Sequence, residues 1–132
     1  MGSVKYLLDT HTLLWAAGDN AKLSNNAMTI IEDTDTTLFV SAASAYEIMY
    51  KHKLGKLSEY EYVAENYFDI IRDFEVDELS INIKHAHFAG KFEWTHRDPF
   101  DRLLAAQAFT ENLTLITNDP AFNTLTWVSV LW

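Results

Sequence analysis

The chain has 132 residues, with 10 Lys+Arg against 19 Asp+Glu, a formal net charge of −9, and 48% hydrophobic residues. That composition supplies one sizeable core, so a single domain over residues 1–132 is expected and intrinsic disorder is excluded. The absence of cysteine excludes disulfides, thiolate zinc sites and a Cys nucleophile. No apolar run approaches the roughly 20 residues of a membrane span, and no leader-like N-terminus is visible, so a soluble cytoplasmic protein is expected. The acidic balance argues, on its face, against a nucleic-acid binder.

Val4 to Leu8 is short, apolar and continuous, and reads as a buried parallel strand. It runs directly into Asp9-Thr10-His11 and a short helix stopped at Gly18, which is half of a βαβ unit. Ser24 to Asp33 shows helical spacing at Ala27, Ile30 and Ile31, and Thr37 to Val40 is the next strand. Ser41 is placed to cap a helix from Ala42 to about Lys53, ending near Gly55. Ser58 to Glu75 reads as one helix, with Tyr62, Val63, Tyr67, Ile70, Ile71 and Phe74 recurring at helical steps. Leu79 to Ile83 is expected as a strand and Lys84 to Phe92 as a helix. Asp98-Pro99 opens a further helix that ends near Asn112. Leu113–Thr117 is a strand, Asn118-Asp119-Pro120 a turn, and Val128–Leu131 a last strand. Strands alternating with helices predict an α/β domain with a mostly parallel sheet and helices on both faces.

In open parallel sheets, ligands bind beyond the carboxyl ends of the strands. Asp9 closes the first predicted strand, and Asp119 follows Leu113–Thr117 by one residue. Each also fits a helix N-cap, Asp119 with Pro120 behind it. Glu47 lies in a largely apolar stretch and is either paired, ligating, or on a solvated stripe with Ser44 and Lys51. Asp98 as N-cap, Pro99 at N1 and Asp101 at N3 satisfy helix-start chemistry. The turn Leu103-Leu104-Ala105-Ala106 would nevertheless carry Asp101 toward the interior. Carboxylates sharing a site repel unless protonated or bound to a cation. A Cys-free carboxylate cluster suits hard cations such as Mg²⁺ or Mn²⁺, which promote phosphodiester hydrolysis.

LLDTHTLLW from Leu7, SAASAYEIMYKHKLGKL from Ser41, HRDPFDRLLAAQA from His96 and LITNDPAF from Leu115 cover the chain nearly end to end. In that order they resemble the PIN-domain superfamily, and within it the VapC-type ribonuclease toxins of toxin–antitoxin pairs. The resemblance implies a Rossmann-like three-layer α/β/α sandwich. It also implies an Mg²⁺- or Mn²⁺-dependent endoribonuclease holding one or two ions on Asp9, Glu47, Asp101 and Asp119. Asp98 and Thr117 are implied as supporting groups, with Ser44 beside Glu47. A homodimer and an inhibitory antitoxin that enters the active-site groove are implied as partners. Tyr46 stands where many relatives carry Trp.

Lys51, Lys53, Arg97 and Arg102 flank the acids in sequence and are candidate RNA contacts; Lys51 and Lys53 equally fit helix C-terminal charge compensation. Arg102 is expected to pair with a carboxylate or a phosphate. His11 follows a candidate ligand, and a hydrogen bond behind that ligand explains it as well as metal binding does; His52, His85, His87 and His96 show no paired ligand spacing and are expected on the surface or beside RNA rather than on zinc. Two alternatives differ in class: a receiver-like phosphoacceptor, and a non-catalytic interaction module with the same fold. The net charge does not exclude RNA, because between Ser58 and Glu78 there are eight acids against Arg72 alone. That segment holds −7 of the −9 and is expected to face away from substrate.

Overall fold

The structure, a computed structural model, describes residues 4–132. Five strands form one sheet: β1 (Lys5–Leu8), β2 (Thr37–Ser41), β3 (Asp77–Leu79), β4 (Thr114–Ile116) and β5 (Val130–Leu131). Every pairing is parallel, and the strand order is β3-β2-β1-β4-β5. Seven α-helices surround it among the described residues: α1 (Thr10–Gly18), α2 (Asn25–Glu32), α3 (Ala42–Lys53), α4 (Glu61–Glu65), α5 (Tyr67–Asp73), α6 (Ile83–Lys91) and α7 (Pro99–Thr110). This is the α/β/α sandwich expected from the sequence. None of these helices is long and apolar enough to cross a membrane.

The order of the strands explains the layers. The chain steps from β1 to β2 to β3 in one direction, then returns to place β4 on the other side of β1. Parallel crossovers keep one hand, so reversing direction moves the connecting helices to the opposite face. Leu8, Val40 and Ile116 accordingly pack with Leu13, Leu14, Ile48, Val63 and Ile70 from α1, α3, α4 and α5. Leu7 and Leu115 point the other way and pack with Leu104, Ala105 and Ala108 of α7. Alternate residues thus feed two cores, as the period-2 geometry of strands requires.

Several predicted boundaries move. The strand expected at Leu79–Ile83 lies two residues earlier, at Asp77–Leu79, in register with Phe39, Val40 and Ser41. The reason is local: Asn82 and His85 form a reciprocal capping box that starts α6 at Ile83. β3 is a short, charged edge strand, which discourages pairing with other chains. The single helix expected over Ser58–Glu75 is a 3₁₀ turn followed by α4 and α5, broken at Asn66. Its buried stripe is Tyr60, Val63, Ala64, Tyr67 and Ile70, whereas Tyr62 is exposed. Helix ends follow the sequence signals more closely. Gly55 (φ 73°) and Asn112 (φ 56°) take the left-handed conformation just beyond α3 and α7. The Lys56 and Leu113 amides then reach back to the Lys51 and Ala108 carbonyls.

The Ser41 hydroxyl has two tasks. It accepts from the Ala43 amide at the start of α3 and donates to Gln107 Oε1 in the middle of α7. Gln107, fully buried, also donates to the Ser80 carbonyl. Removing the Ser41 hydroxyl uncaps α3 and orphans a buried amide oxygen. Ser41→Ala is expected to lower unfolding free energy by about 1–3 kcal/mol in urea titrations.

Candidate active site

β1 and β4 are the neighbours from which the chain departs in opposite directions, and the crevice at their carboxyl ends is where such sheets bind ligands. Asp9 leaves β1 there. Its amide donates to the Ile116 carbonyl (3.2 Å), and its Oδ1 caps α1 by accepting from the Thr12 amide (2.7 Å). The Thr117 hydroxyl donates to Asp9 Oδ2 and accepts from the Asp119 amide (3.1 Å). One threonine just past β4 therefore sets both acids. Asp119 in turn caps the next 3₁₀ turn through the Ala121 amide (2.9 Å). Capping and site-building are thus compatible at Asp9 and Asp119, because each carboxylate has a second oxygen.

α7 brings the third acid. Asp98 Oδ1 accepts from the Phe100 and Asp101 amides (2.8 and 3.2 Å), with Pro99 at the first helical position. This turn folds His96 back over Asp101, so that His96 Nε2 lies 2.7 Å from Asp101 Oδ2. Ligand atoms of His96, Asp101 and Asp119 all lie within 4.8 Å of one another. α3 supplies the fourth acid, Glu47, only 3% exposed. Its Oε2 is ion-paired with Lys51, one helical turn on, while its Oε1 is buried without a hydrogen-bond partner among the described residues. Ser44, one turn before, is fully buried and bonds the Thr10 hydroxyl (2.9 Å), tying α3 to α1. Ser44 and Glu47 therefore lie on the inner side of α3, with Lys51 at its partly exposed margin.

The electrostatics match this crowding. Burial raises the Asp9 carboxyl above its ordinary 3.8, opposed by the Thr117 and Thr12 hydrogen bonds. Burial also pushes Asp101 up to about 6, with the charges of Asp98 and Glu47 adding to it and the His96 hydrogen bond opposing. Carboxylates held near one another at a desolvated end of the sheet call for positive charge. The donor set fits a hard divalent cation: oxygen-rich, one imidazole, no sulfur, and one orphaned carboxylate oxygen.

Two sequence expectations need correction. Arg102 pairs with neither a carboxylate nor open solvent. Its guanidinium donates to the carbonyls of Ala89 (2.9 Å), Phe92, Trp94 (3.4 Å) and His96 (3.3 Å), and lies over the Phe92 ring. Its five N–H donors are enough to serve four converging carbonyls at once. It fastens the 89–96 segment to α7 and so positions His96. His96 itself joins the acids instead of standing apart on the surface. Its signal was the Asp98-Pro99 turn between it and Asp101, a spacing uninformative until that turn folds back. Lys51 is occupied by Glu47, while Lys53 and Arg97 are exposed.

The PIN domain model matches residues 6–128. The fold resembles the DNA-bound VapBC of Salmonella typhimurium (TM-score 0.70, 18% identity, 98% of this chain and 98% of that one). It also resembles VapBC2 of Rickettsia felis bound to a promoter DNA fragment (0.69, 18%, 97% and 98%). A toxin–antitoxin complex from Klebsiella pneumoniae is similar as well (0.66, 20%, 98% and 97%). Among curated proteins no sequence matches the chain.

Two variants probe the architecture directly. Arg102→Met leaves four carbonyls without their donor and is expected to lower unfolding free energy by about 2–4 kcal/mol in urea titrations. Asp101→Asn removes a charge the metal-free fold tolerates poorly. Because the folded pKa lies above the unfolded one, the wild-type carboxyl loses stability as pH rises from about 4 through about 6. In EDTA at neutral pH, Asp101→Asn is therefore expected to be about 1–2 kcal/mol more stable than wild type, and the gap closes below pH 4. Because the PIN domain model spans residues 6–128, nearly the whole chain, the chain belongs to the PIN domain family.

Proposed function

We propose that this chain is a divalent-metal-dependent endoribonuclease and the toxin of a type II toxin–antitoxin pair. The observation that carries the reading is the close approach of His96, Asp101 and Asp119, with Thr117 tying Asp119 to Asp9, the Glu47 charge acting on Asp101, and Glu47 Oε1 buried and unpartnered among the described residues. Asp101, Asp119 and His96 would hold the cation, with Asp9 and Glu47 completing the donor set. A divalent ion, Mg²⁺ or Mn²⁺ in one or two copies, supplies charge neutralisation at the phosphodiester and a lowered pKa for an attacking water. The reaction adds water across the P–O3′ bond: a new P–O bond forms, the 3′ oxygen leaves protonated, and the downstream product keeps a 5′ phosphate.

The chain's own residues supply the orientation. Thr117 holds Asp9 and Asp119 at a set separation. Asp98 fixes the first turn of α7 and thereby Asp101. Exposed Lys53 and Arg97 are suited to contact phosphates beyond the scissile one. The toxin role, with an antitoxin partner, is supported by the similar structures, which are VapBC and toxin–antitoxin complexes; a homodimer is part of the same proposal. The intact acid set favours an enzyme over an interaction module, and membership of the PIN family displaces the phosphoacceptor alternative.

Asp9→Asn and Asp119→Asn are expected to reduce Mn²⁺-dependent cleavage of a mixed RNA pool by at least about 10²-fold while retaining the wild-type circular dichroism spectrum. Cleavage that persists in excess EDTA, or full activity in both variants, would refute the reading.

A further inference from the structure

A pocket opens beside the acid cluster, lined by Asp9, His11, Trp15, Asn118 and Asp119. Two of its walls are the carboxylates already described, and the others have played no part so far. His11 and Trp15 lie one helical turn apart on α1, with ring centroids 5.8 Å apart and planes at 58°. Trp15 is half-buried against the core and braced edge-on by Trp132 at 5.7 Å. It is therefore a rigid plate and not a loose surface ring. Asn118 is exposed in the Thr117–Asp119 turn, where its neighbours on both sides are held in the site. Its amide presents one donor group and one acceptor side by side.

Charge decides what such a pocket accepts. A phosphate placed against Asp9 and Asp119 is repelled unless a cation intervenes. A nucleobase is uncharged, with flat π faces that stack on aromatic rings and an edge of donors and acceptors that an amide can read. Because Asp119 belongs both to this pocket and to the cluster with His96 and Asp101, a base here lies next to a phosphate held there. A base already stacked inside a duplex cannot reach a plate recessed between α1 and the turn after β4.

We propose that the pocket formed by His11, Trp15 and Asn118 is a subsite for one unpaired nucleobase of the RNA strand, adjacent to the scissile phosphate. Trp15 supplies the stacking surface and Asn118 reads the base edge, so the enzyme has a base preference at this position. The proposal rests on the ribonuclease reading above and adds the residues that select the base beside the scissile phosphate.

The test is fluorescence anisotropy with full-length protein and labelled single-stranded oligoadenylate, oligouridylate and oligocytidylate, alongside an RNA hairpin with a fully paired stem. Ca²⁺ replaces Mg²⁺ to hold the phosphate. Trp15→Ala is expected to weaken single-strand binding roughly tenfold or more, Trp15→Phe distinctly less. Asn118→Ala is expected to level the differences among the three oligonucleotides. Mn²⁺ binding to both variants, read by electron paramagnetic resonance, is expected to match wild type, which separates the pocket from the acid cluster. Trp15→Phe and Asn118→Ala carry the test if Trp15→Ala does not fold. Wild-type binding by these variants, from a protein that cleaves RNA, overturns the subsite and leaves the ribonuclease standing. A wild-type protein that neither binds any of the RNAs nor cleaves them overturns both. If Trp15→Ala spares RNA binding but abolishes self-association in size-exclusion chromatography, the pocket is a protein contact and the proposal falls.

Discussion

Like charges held together at the dry end of a parallel sheet are the constraint around which this molecule is organised. Asp9 and Glu47 are 6% and 3% exposed, and Asp101 is raised to about 6 by burial and by its neighbours. Left alone, such carboxylates would protonate or draw water into the fold. The structure resolves this piecemeal. Thr117 donates to Asp9, Lys51 neutralises one oxygen of Glu47, and His96 faces Asp101. Both oxygens of Asp9 are thereby bonded, whereas one oxygen of Glu47 is buried without a hydrogen-bond partner among the described residues.

The scaffold earns its rigidity from helix-end chemistry. Asp9, Asp98 and Asp119 are all N-caps, so the backbone amides that every helix start leaves unpaired are the same groups that aim the acids. Arg102 does the corresponding work for the non-helical stretch behind His96, where four carbonyls would otherwise lack donors in a partly buried place. The strand order adds the last element, because only between β1 and β4 do departing connections leave an open crevice. Stability and site geometry therefore share residues, and a change that loosens one disturbs the other.

The distribution of charge follows the same division. The acids of Ser58–Glu78 are exposed along α4, α5 and β3, with Arg72 bridging Asp69 and Asp73 at 3.3 Å. Asp77 and Glu78 lie on the edge strand, separated from β1 by β2. The acidity that seems at first to exclude a polyanion thus separates into the carboxylates at the strand ends and an exposed acidic face of α4, α5 and β3.

Much of this was readable from the chain alone, and the reason is that the informative signals were local. Apolar runs marked the strands, Asp-Pro and Ser marked helix starts, Gly55 and Asn112 marked helix ends, and the acids sat at strand ends where a parallel sheet places its ligands. Signals that depend on contacts between distant segments were not readable. The capping box at Asn82–His85 shifted β3, and packing chose Tyr60 and Ala64 over Tyr62 and Phe74 for the buried stripe. Arg102 found backbone carbonyls, which carry no sequence identity. His96 and the Trp15–Asn118 pocket depend on which loops face each other across β1 and β4. The sequence by itself determined the parallel α/β plan and the capped helix starts, because periodicity and capping act within a few residues. Only the tertiary structure decided which side chains satisfy those acids and what lines the space beside them, because those partners lie up to 108 positions apart.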